Sequence, residues 1–227
     1  MAKKGKSKIE FFNLDKEIAK QHFRVSIFGS ARIKPNSKYY KEVVELGRML
    51  GEKGIDVVTG GGPGIMEAAC EGHEIGSKKN KENHSHAYGL TIRLPKEQHD
   101  NKHFDMKKDF IKFSSRLDNF IQLSDAVVVA TGGVGTLLEF LYTWQLIQVE
   151  HISDIPIILL GDQWPPLMEW IQKGPLKHKL LNEEDLDSIF VVKDAKEAYK
   201  IINASYETYK KLSGNHNHAS IIPTKRK

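Results

Sequence analysis

Two short segments place glycine beside groups that can do chemistry. "VVVATGGVGTLLEF" (127–140) sets Gly132, Gly133, Gly135 and Thr136 just ahead of a single acid, Glu139. "GGGPG" (60–64), which includes Gly61, Gly62 and Gly64, follows another β-branched run, "IDVVT". Glycine lets a backbone turn sharply and approach a ligand oxygen closely. A helix that starts directly afterwards offers free N–H groups and the positive end of its dipole. The chemistry predicted is phosphate binding, with the Thr136 hydroxyl as an extra donor. Glu139 then falls in the first turn of the helix or just beyond, where the dipole favours its ionised form. A carboxylate beside a bound phosphate suits glycosidic chemistry, in which it stabilises an oxocarbenium-like centre or activates water. Arg116 can offer a bidentate guanidinium to the phosphate or to Glu139. The plainer readings stay open at this point: tight turns that bind nothing, a dipole-stabilising acid and a solvent-facing arginine.

Other phosphate motifs are missing. A dinucleotide fingerprint needs G-x-G-x-x-G after the first strand and an acid about 20 residues on. Here that strand runs into "FGSAR", and the second ends in Val58 and Thr59. No G-x-x-x-x-G-K-[ST] loop occurs. A mononucleotide or a sugar phosphate fits better than a dinucleotide or a hydrolysed triphosphate.

The elements that must position these residues alternate regularly. Strands are predicted at 23–28, 55–59, 87–94, 125–130 and 155–161, with "SIFVV" as a sixth short candidate. Between them, "KYYKEVVELGRMLGEKG" puts Val43, Val44, Leu46, Met49 and Leu50 on one helical face and stops at Gly54. "IMEAACEGHEIG", "SSRLDNFIQLS" and "TLLEFLYTWQLIQVE" supply further helices, with Ser114 or Ser115 as the expected N-cap of the middle one. Strands this apolar are buried on both faces, and intervening helices are the crossovers of a parallel sheet. The expected fold is α/β: a doubly wound, Rossmann-like parallel sheet with helices on both faces. Ligands in such sheets bind outside the C-terminal strand ends, near the point where strand order reverses. Two glycine loops at adjacent strand ends fit that position. The expected division is a basic tail and leading helix (1–22), one nucleotide-binding domain (23–212) and a disordered tail (213–227). The polar stretch 77–86 is expected to be a mobile loop beside the site.

Composition bounds the remainder. The 227 residues are 40% hydrophobic and 28% charged, ordinary for a soluble globular protein. No apolar run approaches the roughly 18 residues of a membrane span, and no membrane partner is expected. The basic N-terminus lacks the apolar core of a secretory signal. The single cysteine, Cys70, suits a reducing compartment, so the cytoplasm is the expected location. Subtracting the seven basic residues of segments 1–8 and 213–227 from the net charge of +5 leaves −2 for the body. A nucleic-acid partner is therefore not expected, and the basic ends read as solvated tails.

Several residues suggest other chemistry. His84, His86, His99 and His103 crowd a polar region without metal-ligand spacing, so no metal is expected. Cys70 and His73 lie one helical turn apart, and Cys70 reads as a half-buried thiol. Trp144, Trp164 and Trp170 read as core or interface residues. Met66 is a candidate for base contact or for the core.

Assembled, these residues resemble the LOG family, often catalogued as lysine decarboxylase-like. "TGGVGTLLE" (131–139) is similar to the family signature P-G-G-x-G-T-x-x-E, with Thr131 in place of the proline. "GGGPGIMEAA" (60–69), "SSRLDNFIQLSDAVVV" (114–129), "FGS" (28–30) and "YTWQL" (142–146) match further family segments, so the likeness runs from about Arg24 to Gly161. Leu117, Ser114 and Glu67 stand where plant-type members have lysine, histidine and glycine, which points to a bacterial branch that includes nucleotide 5′-monophosphate nucleosidases. The resemblance implies a phosphoribohydrolase that splits a nucleoside 5′-monophosphate, AMP-like, into free base and ribose 5-phosphate. It implies Glu139 and Arg116 as catalytic residues, and Gly132, Gly133, Gly135 and Thr136 as the phosphate holders. Gly29, Ser30, Gly61, Gly62, Gly64 and Met66 complete the expected substrate site. A homodimer is implied, with no metal and no organic cofactor; no lysine context for pyridoxal phosphate is present. The alternative is a non-catalytic carrier of a nucleotide or phosphate-bearing cofactor on the same fold.

Overall fold

The computed structural model describes residues 9–79, 84–92 and 99–214. The basic tails, residues 80–83 of the expected loop and the end of the predicted third strand lie outside the described residues. The chain runs β1 (Glu10–Phe11), α1 (Leu14–Ala19), β2 (Arg24–Phe28), α2 (Lys38–Lys53), β3 (Asp56–Thr59), α3 (Ile65–Ser77) and β4 (Ala87–Ile92). It continues through β5 (Met106–Phe110), α4 (Phe113–Leu123), β6 (Ala126–Val129), α5 (Val134–Gln148), β7 (Ile157–Leu160), α6 (Trp164–Ile171), β8 (Ile189–Val192) and α7 (Ala195–Gly214). The strands form one parallel sheet in the order β1-β5-β4-β3-β2-β6-β7-β8. The chain winds outward from β2 on one side, then returns to β6 and winds outward on the other. Its topological switch point lies between β2 and β6. The sheet is thus doubly wound as expected, but the glycine loops after β3 and β6 are not on adjacent strands: β2 runs between them.

Both sheet faces are covered. Val25 and Ile27 of β2 point into a core shared with Leu46 of α2, Ala69 of α3 and Ile202 of α7. Phe28, one residue out of phase, points into the opposite core with Phe120 of α4, Phe140 of α5 and Trp164 of α6. Trp144 joins that core, whereas Trp170 is 63% exposed. Among the described residues no helix is long and apolar enough to cross a membrane.

Helices α2 and α3 meet through glycine. A β-carbon on Gly47 or Gly51 would come within 2.4 Å of the Ala69 or His73 carbonyl, and one on Gly72 or Gly76 within 2.1 Å of the Val44 or Arg48 carbonyl. Two G-x-x-x-G pairs therefore mesh backbone against backbone. Gly54 ends α2 at φ 82°, the left-handed C-terminal geometry glycine favours.

Two strands depart from expectation. β5, "MKKDF", is charged because Lys107 lies near the sheet edge and is held by Asp100 at 2.5 Å and Asp109 at 3.2 Å. β1 has two residues and pairs only with β5. Helix α4 starts at Phe113 with Lys112 at its cap, so neither Ser114 nor Ser115 caps it. The Ser115 hydroxyl donates instead to the Lys112 carbonyl.

The strand starts, opposite the glycine loops, hold a buried charge cluster. Arg24 is 3% exposed and donates to the Glu17 carbonyl at 2.6 Å and the His22 carbonyl at 3.2 Å. Its guanidinium lies 3.5 Å from Asp56 and 3.9 Å from the Glu17 carboxylate, and its backbone N–H donates to Asp125. Burial pushes the Asp125 carboxyl up to about 6, partly offset by Arg24. Arg24→Met should strand these acids and cost about 3–5 kcal/mol of unfolding free energy at neutral pH. Urea titration checks this; a loss below about 1 kcal/mol, the size of an exposed ion pair, would show that the cluster is not held by Arg24.

Candidate active site

A cleft of about 770 Å³ opens along the C-terminal ends of β4, β3, β2 and β6, lined by loops after each strand and by one face of α4 and α5. Glu139 and Arg116 face each other inside it, with Arg116 Nη1 3.8 Å from Glu139 Oε1. Arg116 is 9% exposed, donates from Nε to the Leu90 carbonyl at 2.7 Å and lies over the Phe120 ring. Its contact with Glu139 is single and long rather than bidentate. With Nε on the Leu90 carbonyl and Nη1 facing Glu139, Nη2 is left beside Gly60.

Glu139 is the sixth residue of α5, in the second turn, and its side chain is 16% exposed. The dipole at the helix start was expected to keep it ionised. Burial wins instead and pushes its carboxyl up to about 7, with Arg116 pulling it partly back. One turn from the helix terminus the dipole has largely faded, while desolvation acts in full. The result is a carboxyl group that exchanges its proton near neutral pH. Such a group is matched to acid–base work.

The start of α5 leaves backbone donors open at one end of the cleft. The first intrahelical bond is from Leu137 N–H to the Gly133 carbonyl, so the Val134, Gly135 and Thr136 amides have no partner within the helix. A β-carbon on Gly133 or Gly135 would meet nothing within 4 Å. Packing within the chain therefore does not require glycine at either position. Gly132 differs. A β-carbon there would strike Thr136, and both its backbone groups are taken by Gln163: Gly132 N–H donates to Oε1 and Nε2 donates to the Gly132 carbonyl, each at 3.1 Å. Gly132 is thus the fixed base of the loop, and its amide is not free for a ligand.

The loop after β3 has a different role from the one its glycines suggested. Gly60, Gly62 and Met66 line the cleft, whereas Gly61 and Gly64 shape the turn at φ 72° and 69°. A β-carbon on Gly60 would come 2.2 Å from Arg116 Nη2, so glycine there makes way for the guanidinium. The α3 start is tied down by the bond from Ile65 N–H to the Ser30 carbonyl. Asn101 holds the loop from the other side: its amide group donates to the Gly62 carbonyl at 3.0 Å and its backbone N–H to that of Gly61 at 2.8 Å. Gly29 and Ser30 line the cleft between the two loops, and Ser30 N–H donates to the Thr131 carbonyl. Gly29 is closed to a side chain by Ile65, 2.4 Å from where its β-carbon would lie.

All the expected site residues therefore gather at the cleft except Gly61 and Gly64, which lie behind its wall. Missed from sequence were Gly60, Asn101, Gln163 and Arg32. The glycine run was the only signal for Gly60; the two amides reach the site across 39 and 31 residues, a distance no local pattern records. Cys70 is fully rather than half buried, and its thiol is pushed up to about 12. His86 and His103 are engaged by Asp105 and Glu74. Thr131 forms the partition between this cleft and a smaller cavity of about 400 Å³ at the ends of β7 and β8, and its hydroxyl has no hydrogen-bond partner.

Fold and cleft together define a doubly wound α/β protein with an open helix start and a buried carboxyl beside its switch point. A family model described as "Possible lysine decarboxylase" matches residues 66–202, and the chain belongs to that family, the LOG family. The pyrimidine/purine nucleotide 5′-monophosphate nucleosidase of Escherichia coli K12 is 28% identical over 129 residues, which is 56% of this chain and 28% of that protein. The chain thus spans less than a third of that relative. A probable cytokinin riboside 5′-monophosphate phosphoribohydrolase of rice, LOGL5, is 27% identical over 163 residues, 66% of this chain and 60% of its own. The structure of a molybdenum cofactor binding protein from Rippkaea orientalis superposes with a TM-score of 0.59 at 19% identity, covering 81% of this chain and 96% of that one. At that identity it shows the shared fold alone.

The Gln163 clamp makes a prediction. Gln163→Ala should speed hydrogen exchange at the Gly132 amide about tenfold, the worth of one ordinary hydrogen bond. Exchange followed by NMR checks it; an unchanged rate would show that the loop holds its shape without the clamp.

Proposed function

We propose that this protein hydrolyses the N-glycosidic bond of a nucleoside 5′-monophosphate, AMP-like, to free base and ribose 5-phosphate. The single observation that carries the reading is the Glu139 carboxyl, poised at about 7 and 3.8 Å from Arg116, one turn beyond the open amides of α5. That turn spans about 5.4 Å along the axis, so a phosphate on the amides presents its ribose to the carboxylate. The family and the names of the two curated relatives support the same reaction class.

In the proposed reaction the C1′–N bond breaks with its electron pair leaving on the base, which takes up a proton. Ionised Glu139 stabilises the cationic C1′ and accepts a proton from the water whose oxygen bonds to that carbon; its return to solvent balances the proton the base takes from solvent. Arg116 holds Glu139 in place and offers its remaining N–H groups to the substrate. The phosphate anchors the substrate, and its binding energy orients C1′ against the water.

Phe113 and the α5 stripe of Val134, Leu138 and Leu141 support a homodimer. All four are exposed, the stripe recurs at i, i+4 and i+7, and Phe113, Val134 and Leu138 also line the cleft. A second copy of the chain on this face would wall the cleft mouth. Light scattering should report twice the chain mass for the wild type and one chain mass for Leu141→Glu; a monomeric wild type refutes the dimer. The same reading keeps the cytoplasm as the working location.

Glu139→Gln should abolish base release from AMP while leaving AMP binding within a few-fold. The active form is the carboxylate, so kcat/KM should rise with pH up to about 7 and then level, falling about tenfold per unit on the acid side. Assay of released base over a panel of monophosphates decides. Tight AMP binding with no release from any monophosphate would establish the carrier instead.

A further inference from the structure

We infer that Arg32 is the phosphate clamp of this cleft, giving a 5′-phosphate monoester its counter-charge beside the α5 amides. The inference rests on the nucleotide reading for its ligand, but not on turnover. Among the described residues that line the cleft, two are arginines, Arg32 and Arg116. Arg116 is held at Nε by the Leu90 carbonyl and already faces Glu139 through Nη1. Arg32 is exposed, and among the described residues its guanidinium has no carboxylate or carbonyl partner; only its backbone N–H is engaged, by the Ser30 hydroxyl at 3.1 Å.

Position assigns it to the phosphate end. The Arg32 loop follows β2, the direct neighbour of β6, and Ser30 N–H ties it to the Thr131 carbonyl at the head of the anion loop. Neighbouring strands lie only about 4.8 Å apart. The far end of the cleft, at β4, is closed by Asp100, an acid that repels phosphate even though Lys107 pairs with it. The cleft therefore has a direction: cation and amides at β2 and β6, acid and apolar surface at β4.

Charge balance requires such a group. A phosphate monoester carries close to two negative charges near neutral pH, against roughly half a positive charge at a helix start. Arg116 already faces Glu139, which when ionised meets the phosphate as a like charge. The planar fork of Arg32 meets a phosphate bidentately.

Calorimetry on the full chain with ribose 5-phosphate and with adenosine tests this. Arg32→Ala should weaken ribose 5-phosphate about tenfold, the size of one charge-assisted contact partly screened by solvent. Arg32→Lys should recover part of the loss, and adenosine, which lacks the phosphate, should bind wild type and variant alike. Equal affinities for ribose 5-phosphate, an equal loss for adenosine, or no ribose 5-phosphate binding by the wild type would overturn the assignment. Because the readout is binding, the two readings fail separately. A clamp effect in a protein that releases no base leaves Arg32 standing and removes the hydrolase; base release with unaltered binding does the reverse.

Discussion

The site depends on placing a carboxyl group where water cannot fully reach it. Glu139 sits in the wall between α5 and the sheet, and Arg116 approaches without closing into a fork. A closer, bidentate partner would hold the carboxylate ionised far below neutrality and leave it inert as a base. No partner at all would leave it protonated and useless as an anion. The separation between the two groups sets the balance, and Arg116 is kept at that separation by the Leu90 carbonyl and the Phe120 ring. Gly60 contributes by absence, since any side chain there would displace the guanidinium.

The surrounding loops are organised for the same end. Neither glycine loop stands alone: Asn101 pins one and Gln163 the other, each through a side-chain amide that pairs with backbone. An amide can both donate and accept, so Gln163 satisfies two groups of Gly132 at once. Fixing Gly132 leaves the Val134, Gly135 and Thr136 N–H groups without a partner inside the helix. The helix start can then meet an anion with little reorganisation, which is how preorganised dipoles contribute most.

Much of this was legible in the residues. Buried parallel strands showed as unbroken apolar runs such as "AVVV" and "IILL", and the glycine loops marked their C-terminal ends. Glu139 and Arg116 stood out by position, and the fold brings them together. What stayed hidden depends on distance along the chain or on the sheet's edge. β5 reads as polar because Lys107 and Asp109 pair near the edge, and Gln163 gives no local sign of reaching Gly132. The raised carboxyl of Glu139 leaves no sign in the sequence, where the helix start is visible but the depth of its burial is not.

The meshed glycines of α2 and α3 bear on how the cleft can open. With carbonyls lying where β-carbons would be, the two helices have no cushion of side chains along which to slide or roll. The loops that feed them, from Gly29 to Ile33 and from Gly60 to Gly64, are joined again by the Ile65 to Ser30 bond. Half of the cleft is therefore a rigid jaw. The opposite wall, α4 and α5, carries Arg116 and Glu139 and meets the sheet through side chains instead, Phe120 and Phe140 among them. The cleft thus joins one wall locked backbone to backbone with one held by side-chain packing.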